Sequence, residues 1–219
     1  MTSVSRWIAL GLILSAALLS ACATSLPTAE ENSPIPETAE VPARAPEPEQ
    51  EINRVAVRDF SNAIDAMQRG RYHDAERVLL KLTQEYPQLS GPYANLGIVY
   101  LHFGKMPQAV DALKQAIAIN SRHAEYYNQL GIVYRQNGQL DLAQQAYEKA
   151  LQLDPNYAYA HLNVGILYDL YLRDLAKALL HYERYQALLP NTDAQVNKWI
   201  VDLKQRSKTA GKNGKGSDG

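Results

Sequence analysis

The sequence predicts an all-α protein: a solenoid of about four helical hairpins closed by a C-terminal helix, carried behind an apolar leader and a Pro/Glu-rich stretch. Three observations carry this. From residue 56 onward, a pattern of small and large apolar residues returns every 34 residues, and a fixed period of that order marks stacked supersecondary units. Within each period the apolar residues recur at the spacing of one helix face. Gly and Pro punctuate the periodic stretches at the places where a helix must reverse or stop.

The chain opens on a targeting pattern over residues 1–21. Arg6 precedes the uncharged run Trp7 to Leu19, which is short for a membrane span and has the length of a signal-peptide core. The run ends in Leu19, Ser20, Ala21 and Cys22. This resembles the bacterial lipobox, in which an apolar residue and two small residues precede a cysteine. The resemblance implies cleavage before Cys22, lipidation of its thiol and acylation of the new amino group. The rival readings are an ordinary signal peptide and an uncleaved anchor helix. Several acyl chains together hold a protein stably on a membrane. Ala23, rather than Asp, follows the cysteine; by resemblance to the enterobacterial sorting rule this implies the outer membrane, facing the periplasm. Cys22 is the only cysteine, so no internal disulfide can form.

Residues 22–52 are expected to be a disordered tether. Between Ala23 and Glu51 stand six prolines and seven glutamates against the single basic residue Arg44, with no aromatic side chain. Such a segment buries too little to offset its chain entropy, and proline keeps it extended. It reads equally as a spacer that lets the next domain search for partners and as a linker of no particular length.

The repeats occupy residues 53–208, in units 56–89, 90–123, 124–157 and 158–191. The third shows the pattern best. Tyr127, Leu130, Gly131 and Tyr134 share one face of a first helix, Gly138 sits at the reversal, and Ala143, Tyr147 and Ala150 share one face of a second helix before Pro155. Small residues let two helices approach, large ones fill the space between hairpins, and Gly138 and Pro155 reverse and end them. The second unit repeats this with Tyr93, Leu96, Gly97, Tyr100, Gly104, Ala109, Leu113 and Ala116, with Ser121 expected as an N-cap and Pro107 in a first helical turn. The first unit is degenerate, with Ala63, Ala66, Gly70, Ala75, Leu79 and Leu82 in the same slots. The fourth matches at Val164, Gly165, Tyr168, Ala178 and Tyr182, but lacks the turn glycine and carries one extra residue in Tyr171 to Asp174. Residues 193–208 follow as an amphipathic helix, with Val196, Trp199, Ile200 and Leu203 on one face. It reads as a cap for the raw apolar end of the stack, or as a docking helix. Residues 209–219 read as a disordered Gly/Lys-rich tail.

This spacing resembles the tetratricopeptide repeat. The resemblance implies a right-handed α-solenoid whose first helices line a concave groove, and it assigns groove positions residue by residue. They are Phe60, Ser61, Ile64 and Met67 in the first unit and Asn95, Ile98 and Leu101 in the second. Asn128, Gln129 and Arg135 follow in the third, and Tyr159, Leu162, Asn163 and Ile166 in the fourth. Two features follow. Asn95, Gln129 and Asn163, continued by Ser61, form a stripe of amides able to pair with a peptide backbone; the same amides could equally serve local packing. The groove is apolar at both ends, as a binding site for a partner's helix or strand would be, unless those residues are core, or the tether or another copy of the chain fills them. The Lys and Asn pattern of chaperone-type carboxylate clamps is absent, so no preference for an acidic C-terminal tail is expected.

Enzyme, metal and nucleic-acid functions are not expected. His73, His102, His123, His161 and His181 are scattered, with no partner at ligand spacing in the sequence. Between residues 53 and 208, 18 basic residues face 15 acidic ones, a balance too mild for a nucleic-acid footprint. No cofactor is expected beyond the covalent lipid at Cys22. The whole resembles periplasm-facing tetratricopeptide lipoproteins, among them pilotins of type IV pili and adaptors of wall hydrolases or proteases. It implies an outer-membrane-anchored scaffold for assembly of a pilus or secretion complex, or else an adaptor or regulator of a periplasmic hydrolase or protease. Its partners would be envelope proteins presenting an extended peptide or helix, with self-association a further option.

Overall fold

The computed structural model describes residues 48–213, and no β-strand occurs among them. The expected leader, Cys22 and nearly all of the expected tether lie outside the described residues. The helices are α1 (Pro48–Gln68), α2 (Tyr72–Glu85), α3 (Ser90–His102), α4 (Met106–Ile119), α5 (Ala124–Gln136), α6 (Leu140–Leu153), α7 (Ala158–Ile166), α8 (Leu175–Leu188) and α9 (Ala194–Asn213). A π-helical turn, Leu167–Leu172, extends α7. Consecutive helices pair as four hairpins, each second helix packs on the next first helix, and α3, α5 and α7 also touch in series. The result is the expected solenoid, with the first helices side by side on one surface.

Each hairpin closes on a contact that its sequence slot dictates. Gly97 lies so close to α4 that a Cβ there would stand 2.5 Å from the Leu113 side chain, and one at Gly131 would stand 2.5 Å from the Tyr147 ring. Gly165 meets Tyr182 in the same way. In the first hairpin Ala63 takes the glycine's place beside Leu79, both fully buried. Around these contacts run two clusters, one spanning α1 to α4 and a larger one running from α3 to α9.

The reversals obey the same period until the fourth. Gly70, Gly104 and Gly138 take φ of 73°, 70° and 76°, the left-handed region that glycine enters without penalty. The next amide then reaches back five residues: Arg71 N–H to Ala66 O at 2.8 Å, Lys105 to Tyr100 at 2.8 Å and Gln139 to Tyr134 at 2.9 Å. In the fourth hairpin the extra residue widens this ring, so that Asp174 N–H reaches six residues back to Tyr168 O at 3.0 Å. The π-helical turn absorbs the insertion, and Arg173 occupies the left-handed position at φ 55°. Asp174 then caps α8, its Oδ1 accepting from Lys177 N–H at 3.0 Å.

The C-terminal helix is a cap. Val196, Ile200 and Leu203 are buried, and Trp199 lies 5.5 Å from the Tyr182 ring. Its start is tied to α8: Asp193 Oδ1 accepts from Val196 N–H at 3.1 Å, Tyr185 donates to Asp193 Oδ2 at 3.1 Å, and Gln186 bonds both the N–H and the carbonyl of Asp193. Arg206 reaches back to Asp169 at 2.7 Å.

Three boundaries differ from the sequence reading. The first helix begins at Pro48, inside the stretch read as tether, and the fixed φ of proline suits a first helical turn. The last helix runs to Asn213, past residue 208, with Ser207 and Thr209 hydroxyls bonded to carbonyls one turn back. Ser121 is not an N-cap; His123 precedes α5, without a side-chain cap.

Two stability changes follow. Gly131→Ala forces the Tyr147 ring or α5 to move and lowers stability by about 1–3 kcal/mol. Arg173→Gly relieves the left-handed strain and raises stability by about 1 kcal/mol. Denaturant titration of each variant checks both signs.

Candidate functional site: the concave groove

The groove is built by α1, α3, α5 and α7, and it holds a cavity of about 420 Å³ at the first three of these helices. Phe60, Ile64, Ala94 and Ile98 make its apolar floor, Asn95 and Gln129 lie along it, and Tyr126, His123 and Glu125 form the far wall. Phe60 rests over Gly91, where an added Cβ would stand 3.1 Å from its ring. Tyr126 is held by its hydroxyl, 2.9 Å from that of Ser90, and stacks on His123 at 4.2 Å. Five of the expected groove residues, Phe60, Ile64, Asn95, Ile98 and Gln129, thus meet in one place. Tyr126 and His123 were not among those expected. The tyrosine occupies the third position of its unit and the histidine belongs to the preceding loop, so only the packing of α5 against α3 brings them in.

Others fall elsewhere. Ser61 is exposed beside the cavity without lining it. Met67 packs on the core of the first two hairpins, and Leu101, Leu162 and Ile166 pack on the larger core. Tyr159 stays 57% exposed, so the fourth hairpin offers one ring, at the opposite end from the cavity. Asn128 is 1% exposed and is no groove residue. A buried amide needs partners, and its Oδ1 accepts from Asn163 Nδ2 at 3.0 Å across the hairpin boundary. Asn128 also supports the Tyr157 hydroxyl, whose pKa is pushed up to about 12, first by burial and then by the Glu125 carboxylate.

The amide stripe is therefore interrupted. Asn95 donates to Gly91 O, one turn back, at 3.0 Å, as short polar side chains on helices tend to do. Asn163 is spent on Asn128. Gln129 alone of the three amides makes no hydrogen bond among the described residues. Arg135 is likewise committed: its Nε donates to the Tyr147 hydroxyl at 3.2 Å, and its other arm lies 3.5 Å from that of Tyr171. Desolvation lowers its pKa, but the hydrogen bonds it donates to the Tyr147 and Tyr171 hydroxyls outweigh that, so the net shift is upward. The guanidinium ties α5 to the α6 core and to the π-helical turn rather than reading a ligand.

Two histidines that lie apart in the sequence meet in the fourth hairpin. His161 Nδ1 and His181 Nδ1 are 3.0 Å apart, while the ring centroids are 5.2 Å apart, so the two nitrogens point almost straight at each other. That is the geometry of a hydrogen bond, not of two lone pairs converging on a metal. His161 Nε2 lies 3.1 Å from Pro155 O; a carbonyl only accepts, so Nε2 carries the proton and His181 Nδ1–H donates to His161 Nδ1. Burial and then the neighbouring His161 hold His181 down at about 4, and burial lowers His161 as well. No cluster of three potential metal ligands occurs among the described residues.

Comparison with known proteins places this geometry. Residues 92–155 and 128–192 each match a family model described as tetratricopeptide repeat. No curated protein matches the sequence. Among solved structures, the chain is similar to PilF of Pseudomonas aeruginosa, with 22% identity and a TM-score of 0.67 over 73% of this chain and 72% of that one. It is similar to MamA, with 26% identity and a TM-score of 0.54 over 64% of this chain and 85% of that one. It also resembles the first tetratricopeptide domain of Spaghetti (RPAP3) bound to the HSP90 peptide SRMEEVD, at 20% identity and a TM-score of 0.51, covering 55% of this chain and 94% of that one.

The histidine pair makes stability acid-sensitive. His181 binds its proton near pH 6.5 when unfolded and only at about 4 when folded, so between these values the unfolded state holds more protons and stability falls with pH. The thermal midpoint should drop as pH goes from 6.5 towards 4. Replacing both His161 and His181 by Gln should flatten that window, leaving the loss at lower pH from carboxylates such as Asp174 and Asp193, whose folded pKa values lie below their usual 3.8.

Proposed function

Because the chain carries a tetratricopeptide-repeat solenoid, we propose that it is a protein-binding scaffold whose groove receives a segment of an envelope protein. In this reading a lipid on Cys22 anchors it to the outer membrane, facing the periplasm, and its work is the assembly of a pilus or secretion complex. The observation that carries the binding role is the cavity of Phe60, Ile64, Ala94 and Ile98, with the unspent Gln129 amide beside it. An apolar floor gives affinity, and one free amide fixes the register of an extended chain. The RPAP3 domain, of the same fold, is bound to a peptide. The ligand differs here: Glu125 on the cavity wall repels an acidic tail, in line with the missing clamp residues. The lipobox-like Leu19 to Cys22 supports a place in the envelope, and the likeness to PilF supports an assembly role over an adaptor role.

Photoreactive residues placed at Ile64, Gln129 and, as a convex control, Lys114 would test this in living cells, beside a Cys22→Ala form that reports on anchoring. One envelope protein should be captured from the first two positions. Gln129→Ala should weaken capture roughly fivefold, the loss expected for one hydrogen bond, and Ile98→Glu should abolish it. Capture from Lys114 alone would move the site to the convex face and overturn the reading.

A further inference from the structure

The fourth hairpin ends in a tip that the other three lack. Their reversals are short and run through Gly70, Gly104 and Gly138 beside polar neighbours such as Arg71, Lys105 and Gln139. The π-helical turn instead presents Leu170, Tyr171 and Leu172 to solvent, at 64%, 42% and 37% exposure. The packing of the hairpin does not need Leu170 and Leu172, because Leu167 and Tyr168 of the same turn already fill the core, and Tyr171 is held from within by the 3.5 Å contact with Arg135. Arg173 follows, exposed and without an ion pair among the described residues. The tip is thus apolar and ends in one free cation.

The cavity has the complementary character. Its floor is apolar, it has room for more than one side chain, and its only carboxylate, Glu125, is exposed without an ion pair among the described residues. The tip cannot enter the cavity of its own chain: the second and third hairpins stand between α1 and the π-helical turn.

We propose that the tip of one copy seats in the cavity of a second copy, Leu170 and Tyr171 against Phe60, Ile64 and Ile98, with Arg173 beside Glu125. Each chain has one tip and one cavity, so the contact is head-to-tail, and copies add as an open chain with one free cavity or close into a ring. The inference rests on the groove being a binding site, as proposed above, and adds its regulation: copies compete with the partner segment for one cavity, so partner binding disperses the assembly.

The test uses two differently tagged full-length copies in one cell, one carrying Leu170→Cys and the other Ile64→Cys, followed by non-reducing electrophoresis of the envelope fraction. A disulfide-linked pair of the two tags is expected, with little linkage when both copies carry the same substitution. Arg173→Glu in the tip copy should lower the yield roughly fivefold, the scale of one ion pair. Glu125→Arg in the cavity copy should restore it; both are exposed positions that leave the core alone. Absence of any mixed pair, linkage only between two Leu170→Cys tips, or a mixed pair indifferent to the charge exchange overturns the proposal. So does labelling of the tip by a lipid-phase probe in place of linkage, which would make it a membrane contact. A missing mixed pair together with partner capture at Ile64 and Gln129 would sink self-association and leave the scaffold reading standing.

Discussion

The structure depends on how closely two helices can approach. Gly97, Gly131 and Gly165 bring the backbone of each first helix onto Leu113, Tyr147 or Tyr182 of the second. A single methyl group at any of these places would push the helices apart. Because each second helix also supports the next first helix, an error in one hairpin is passed to its neighbour. The first unit departs from the rule: Ala63 sits beside Leu79 in the slots that Gly97 and Leu113 fill in the second.

A second layer of polar contacts ties successive hairpins together along the groove side. Asn163 donates to buried Asn128, Arg135 reaches Tyr171, and Arg206 reaches Asp169. These contacts hold the fourth hairpin on the third and the capping helix on the fourth. They also take up polar groups, Asn163 and Arg135, that the repeat pattern places in the groove. What remains is a mainly apolar cavity at one end, with Gln129 and Glu125, and an apolar tip at the other. The insertion in the fourth turn matters for the same reason: it widens the closing ring by one residue, swings Tyr171 over Arg135 and sets Leu170 and Leu172 in water.

Much of this was legible before folding. The slots of Gly131, Tyr147 and Ala150 are packing positions that recur with the period, so hairpin count, turn positions and an amphipathic last helix follow from spacing, while burial of Val196, Ile200 and Leu203 makes that helix a cap. The missing glycine and extra residue in the fourth turn were also visible, as was the apolar character of Phe60, Ile64 and Ile98. The stripe of amides was visible as a pattern, but the partner of each was not, because a side-chain amide chooses among all nearby carbonyls, including those of its own helix. Asn95 found Gly91, and Asn163 found Asn128.

The sequence by itself determined the helical hairpins and their order, since these rest on local spacing, on glycine's freedom at positive φ and on proline's lack of an N–H. Tertiary structure alone decided which polar groups were spent and which were left. It buried Asn128, bound Arg135 to two phenols and brought His161 within hydrogen-bonding distance of His181. It also added Tyr126 and His123 to the cavity. Such pairings depend on the rotation of one hairpin against the next, and that rotation is set by side-chain packing across the whole interface rather than by any stretch of the chain that can be read on its own.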